Sequence, residues 1–114
     1  MKVIKLSPEE VEVKEVENTL EDLQSEVDGY IETLYLGNGF IIICNEEGKL
    51  RQLPFTAVVT NGIKQDILVG NILICKVDEE NFISLSEEDI KLILADSDFK
   101  RRKIILSLFN KVGE

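Results

Sequence analysis

Two stretches of this chain concentrate groups able to recognise another molecule. Asn45-Glu46-Glu47-Gly48-Lys49-Leu50-Arg51 brings an amide, two carboxylates, an ammonium and a guanidinium into one short span. Lys49 and Arg51 are suited to holding an anion through charge-assisted hydrogen bonds, with Asn45 and Glu46 recognising a polar edge. Lys100-Arg101-Arg102-Lys103 is a second cationic group, suited to clamping a phosphate or an acidic partner. Each also has a plainer reading. Asn and Gly are turn residues that charged neighbours commonly surround, and a run of cations is often a solvated turn.

Catalytic equipment is sparse. The chain has no histidine, which removes the commonest general base and metal ligand. Cys44 and Cys75 are too far apart for a Cys-x-x-Cys zinc half-site, and each sits inside an apolar run as a small buried hydrophobe. Gly37-Asn38-Gly39 lacks the Lys and the following helix of a phosphate loop. The acidic groups Asp78-Glu79-Glu80 and Glu87-Glu88-Asp89 lack the alternation of a calcium loop. They read as a solvated turn and a dipole-matched helix start. With 22 Asp and Glu, two carboxylates close in space are expected by chance. These residues predict a protein that works by binding, with no catalytic residues, metal or cofactor.

Charge narrows the partners. The net charge is −9 but unevenly spread. Residues 1–99 carry 8 Lys and Arg against 21 Asp and Glu, a balance of −13, while residues 100–114 carry 5 against 1, a balance of +4. An acidic body repels nucleic-acid phosphates, so direct nucleic-acid binding is not expected. No apolar run reaches the roughly 18–20 residues that span a bilayer, and Met1 to Leu6 does not resemble a signal peptide. Cytoplasmic residence is the expectation.

The elements that must position these groups follow from periodicity. The pattern predicts an α+β fold: a small, mostly antiparallel sheet of about five to seven strands, one short helix after the second strand, and one or two C-terminal helices. Lys2 to Leu6 and the region of Val11, Val13 and Val16 read as strands. Asn18 reads as a helix cap with Glu21 reaching back, opening a helix over about Thr19 to Val27 that Asp28-Gly29 stops. Tyr30 to Leu36 and Phe40 to Cys44 flank Gly37-Asn38-Gly39 as a hairpin. Asn45 to Gly48 turns, and Lys49 to Leu53 returns as a short strand before Pro54. Ala57-Val58-Val59 and Ile67-Leu68-Val69 are weaker strand signals around Asn61-Gly62. Asn71 to Val77 is a strong strand, with Phe82-Ile83-Ser84 pairing back. Ser86 and Asp89 form a capping box for a helix from Glu87 to about Ala95. Asp96-Ser97-Asp98 caps a final helix, Phe99 to Val112, with Ile105, Leu108, Phe109 and Val112 on one face and Lys100, Lys103, Ser107 and Lys111 on the other. That face either packs on the sheet or joins copies of the chain as a homo-oligomer. The chain divides into an α+β body, 1–95, and a basic helical segment, 96–114, within one domain.

Several segments together carry a family resemblance. Thr19-Leu20-Glu21-Asp22-Leu23-Gln24, Tyr30-Ile31-Glu32, Cys44-Asn45-Glu46-Glu47-Gly48-Lys49-Leu50, Leu53-Pro54, Asp66-Ile67-Leu68-Val69-Gly70 and Ser84-Leu85-Ser86 occur in this order. They resemble a family of small proteins from phages, plasmids and gut bacteria described only as a domain of unknown function. The resemblance covers roughly residues 1–95, and the Cys-Asn-Glu-Glu-Gly-Lys segment is its most specific part. The family tends to carry an Asn shortly after its Leu-Pro, where this chain has Phe55-Thr56-Ala57. The resemblance implies a mobile-element setting and supplies no activity.

Three functional expectations follow. The first is a non-enzymatic accessory protein of a phage or mobile element that binds a host protein, as in counter-defence. The second is a sponge for a small anionic or nucleotide ligand, using Lys49, Arg51 or Lys100 to Lys103. The third is an acidic DNA mimic, which requires a continuous stripe of carboxylates.

Overall fold

Phe40-Ile41-Ile42-Ile43-Cys44 and Ile72-Leu73-Ile74-Cys75 are apolar at every position, which alternation cannot explain in a strand with one wet face. In the computed structural model, which describes residues 1–112, both runs are strands with apolar side chains packed on each face. The elements in chain order are β1 (Lys2–Leu6), β2 (Val11–Glu15), α1 (Leu20–Val27), β3 (Ile31–Gly37), β4 (Phe40–Asn45), β5 (Phe55–Asn61), β6 (Lys64–Val69), β7 (Ile72–Asp78), β8 (Asn81–Ile83), α2 (Glu87–Ala95), α3 (Ser97–Lys100), β9 (Lys103–Ile105) and α4 (Leu106–Lys111).

The larger sheet is antiparallel, in the order β2-β1-β7-β4-β3, with β8 also paired to β7. The smaller has the order β6-β5-β9, with β5 and β9 parallel. The fold is therefore α+β and mostly antiparallel, with its strands split between two sheets.

Odd and even positions of the central strands serve two different layers. Ile41, Ile43, Leu73 and Cys75 pack with Val3 under Leu23 and Val27 of α1. Phe40, Ile42, Ile72 and Ile74 face the smaller sheet and the C-terminal helices, through Val59, Leu68, Ile93, Ile104 and Phe109 among others. The Phe40 and Phe109 rings lie 5.2 Å apart. Lys76 spans this layer, its ammonium 5.1 Å from the Phe40 ring centroid and 3.6 Å from the buried carboxylate of Asp89.

Three local expectations need correction. The cap of α1 is Thr19, whose hydroxyl accepts from the Asp22 amide at 3.2 Å; Asn18 instead donates to the Phe82 carbonyl at 2.8 Å. Thr19 wins because its side chain lies three residues before an unpaired amide of the first turn. Lys49 to Leu53 is not a strand. Its amides fold back on Glu47, Gly48 and Lys49, and Gln52 adopts a left-handed φ of 56°.

The third correction concerns the basic segment. Phe99 to Val112 is not one helix but α3, a turn, β9 and α4. Asp96 caps α3 by accepting from the Phe99 amide, and Arg102 ends it at a left-handed φ of 64°. The β-branched pair Ile104-Ile105 then takes the edge of β5, where strand geometry suits it better than a helix does. Phe99, Ile104, Phe109 and Val112 are buried in the chain's own core, so the apolar face packs inward. Residues 113 and 114 of the predicted segment lie outside the described residues. The hairpin turn clips this end: Asn38 donates to the carbonyls of Phe109 and Val112 at 3.0 and 2.8 Å.

Charge fixes the position of α1. Glu26 lies 2.8 Å from the Lys5 ammonium on β1 and 2.9 Å from that of Lys14 on β2. Burial alone would push its carboxyl up, but the two ammonium groups together hold it below the usual carboxylate range. A carboxylate so depressed contributes stability at neutral pH that disappears as the pH falls below about 4.5, through its folded pKa. Glu26→Gln is expected to be less stable than wild type at pH 7, with the difference closing toward pH 3. Urea unfolding across that range measures it; a gap that does not change with pH would refute the assignment.

Candidate functional site

A cleft of about 310 Å³ lies between the two sheets. Glu32 to Leu34 of β3 form one wall and Asp66 to Val69 of β6 the other. Cys44, Asn45, Glu46 and Lys49 close its end. Leu68 and Cys44 are buried core residues at the base, while Glu32, Glu46, Lys49 and Asp66 are exposed at the rim. Three carboxylates therefore face one ammonium. Among the described residues, no three His, Cys, Asp or Glu side chains gather closely enough to hold a metal ion. The carboxylates are distributed around the rim rather than converged on a point.

Cys44 reports the electrostatics of this place. Its thiol is pushed up to about 11, first by burial and then by the negative charges of Glu32 and Asp66, with Lys49 opposing. It stays protonated at neutral pH and is a poor nucleophile. Cys75, deeper in the other layer, is pushed up to about 12 by burial alone.

The eight sequence candidates separate into four groups. Glu46 and Lys49 line the cleft with their charged groups at the surface. Asn45 also borders it, but its amide is fully engaged within the protein. It donates to the carbonyls of Val27 and Asp28 at 3.0 and 3.1 Å and accepts from the Glu47 amide at 2.7 Å. Arg51 lies outside the cleft and donates to the same Asp28 carbonyl at 2.7 Å. Asn45 and Arg51 are thus a clamp on the C-terminal end of α1, whose last carbonyls lack partners within the helix. The Arg51 cation also suits that end of the helix dipole. Gly29 makes the approach feasible, since a Cβ there would lie 2.7 Å from the Asn45 side-chain nitrogen.

The cationic run forms no common site. Arg102 turns inward and donates to the carbonyls of Ser7 at 2.5 Å and Thr56 at 3.0 Å, tying together β5 and the turn after β1. Lys100, Arg101 and Lys103 are exposed on α3, the turn and β9, away from the cleft. Thr56 is fully buried and donates to the Gly70 carbonyl, so the polar side chain after Leu53-Pro54 closes a loop rather than facing a ligand.

Spacing alone missed Glu32 and Asp66, which supply two of the three rim carboxylates. A signal was present in the resemblance: Tyr30 to Glu32, Cys44 to Leu50 and Asp66 to Gly70 are three of its segments, and all three reach this cleft.

Fold and site together define a class: an α+β protein of two stacked sheets with an acidic cleft between an edge of each. The chain belongs to the family described as Domain of unknown function (DUF3846), whose model matches residues 1–98. That match covers all of the cleft and stops before the turn and strand at Arg101 to Ile105. Neither the curated proteins nor the solved structures contain a match.

The clamp and the inward arginine define a stability test. Asn45→Ala removes three hydrogen bonds and orphans the Val27 carbonyl and the Glu47 amide, while Arg51 still serves Asp28, so a loss of about 2–3 kcal/mol is expected. Arg102→Ala is expected to cost about 1.5–3 kcal/mol, because its bonds come from a charged donor. Lys49→Ala should stay within about 0.5 kcal/mol of wild type. Urea midpoints rank the three; Asn45→Ala as mild as Lys49→Ala would exclude the clamp.

Proposed function

We propose that this protein is a non-enzymatic accessory protein that works by binding another protein, and that the cleft is where the partner is read. The mobile-element setting implied by the family resemblance makes a host protein the partner and counter-defence the role.

One observation carries this reading: three segments distant in the chain meet around a single cleft with an apolar base and a charged rim. Its walls are strands of two packed sheets, so the backbone carrying Glu32 and Asp66 is fixed before anything binds. Its volume sits at the bottom of the roughly 300–1,000 Å³ typical of ligand pockets, and its mouth is open. It suits a few side chains of a larger molecule better than a whole metabolite. The three-to-one excess of carboxylates disfavours an anionic or nucleotide ligand. The mimic reading gains little support, because Glu21 and Asp22 on α1 and Glu87 and Glu88 on α2 belong to helices packed on opposite faces of the larger sheet. The buried Cys44 thiol, held protonated at neutral pH, offers the cleft no activated nucleophile.

The experiment uses tagged wild-type protein and the double variant Glu32→Lys/Asp66→Lys as baits in bacterial host lysate. The captured protein is then purified and titrated by calorimetry. Wild type is expected to retain a specific partner and the variant to bind it at least about tenfold more weakly, the scale expected for reversing rim charges. Failure to recover any specific partner, or equal affinity of both baits, overturns the reading.

A further inference from the structure

We infer that the occupant of the cleft is an extended polypeptide segment bearing Lys or Arg, which adds to the open edge of β6 as a fourth strand of the smaller sheet. This deepens the protein-binding reading and rests on it.

The backbone supplies the first argument. Among the described residues, β6 ends its sheet and pairs only with β5. In an antiparallel ladder, facing residues alternate between pairs bonded to each other and pairs turned away from each other. The Val58 amide donates to Arg102 at 3.0 Å, so Val58 directs its backbone toward β9. Val58 faces Ile67. Ile67 therefore turns its own N–H and C=O away from β5, toward the open edge. The two-residue period gives Gln65, facing Thr60, the same direction. Among the described residues, no backbone hydrogen bond outside the β5 ladder reaches β6 between Lys64 and Leu68. A row of unpaired backbone groups beside a half-exposed isoleucine (Ile67, 52% exposed) is a template for another strand.

Charge supplies the second argument and selects the occupant. Asp66 stands on this edge, and Glu32 and Glu46 stand across the cleft, against Lys49 alone. A segment lying along β6 alternates its side chains between the cleft and solvent. Those turned inward meet three carboxylates around an apolar base, which favours a long side chain with an apolar stem and a cationic head. A second copy of this chain, adding β6 to β6, would bring its own Glu32, Glu46 and Asp66 toward the same rim with only Lys49 and Lys64 to offset them, and is disfavoured.

The test uses two synthetic eight-residue peptides, one alternating Val with Lys and one alternating Val with Glu, each labelled for fluorescence anisotropy. The Lys peptide is expected to bind at least about tenfold more tightly, and the preference to collapse in Asp66→Lys. Hydrogen exchange at single-residue resolution is expected to show new protection of the Gln65 and Ile67 amides when the Lys peptide is bound. Ile67→Pro removes only an outward-facing donor, a place where an edge strand tolerates proline. It is expected to fold and to lose most of the Lys-peptide affinity. Equal binding of the two peptides, or binding by neither, overturns the proposal; so does binding without protection at Gln65 and Ile67. Protection that appears on concentrating the protein alone assigns the edge to a second copy and also overturns it. If the partner captured from lysate binds Ile67→Pro as tightly as wild type, strand addition fails while protein binding stands.

Discussion

The two apolar strands at the middle of the larger sheet, β4 and β7, impose a requirement that the rest of the chain satisfies. Buried residues on both sides of a sheet need two covers, and each buried aliphatic side chain contributes roughly 1.5–3 kcal/mol only if its cover is in place. One cover is α1, a short helix offering Leu23 and Val27. So small a cover needs fastening, and the chain fastens it at several points. Thr19 caps its start, Glu26 anchors it to Lys5 and Lys14, and Asn45 with Arg51 grips its end. The other cover is the smaller sheet with the C-terminal helices, and it leaves a gap toward one side. That gap is the cleft.

Much of this arrangement could be read from the residues. The hairpin around Gly37-Asn38-Gly39 follows from three consecutive positions with left-handed backbone. The capping box of Ser86 and Asp89 is formed with both reciprocal hydrogen bonds. The α1 span was legible to within a residue because its polar and apolar positions repeat at helical spacing. What escaped were features that depend on distant partners. β9 is three residues long and exists because β5 has an edge to offer, and Val58 and Lys103 are far apart in the chain. Helical spacing of Ile105, Phe109 and Val112 was real but overruled by that pairing. The clamp was misread for a related reason: the donors that suit Asn45 and Arg51 to a ligand also suit them to the end of a helix.

The same distinction explains how much of the site was legible. Glu46 and Lys49 lie in one motif and were found together. Glu32 and Asp66 lie on edge strands of different sheets, and only the stacking of those sheets brings them to one rim. The charge of the cleft is thus a tertiary property. A motif with cations in it suggested an anion site, and the neighbours supplied by the fold reverse that sign.

The parallel pairing of β9 with β5 also bears on the order of events as the chain takes shape. A parallel partner cannot arrive by a hairpin, and the loop closed between these strands includes β6, β7, β8, α2 and α3. Such long-range closure is slow compared with local pairing. Until it happens, the face of the larger sheet carrying Phe40, Ile42 and Ile74 lacks Ile104 and Phe109 from its cover. The N-terminal two-thirds of a growing chain therefore passes through an interval in which apolar surface is present and its lid has yet to be synthesised. A truncation before residue 103 would make that exposure permanent, leaving a chain prone to aggregate.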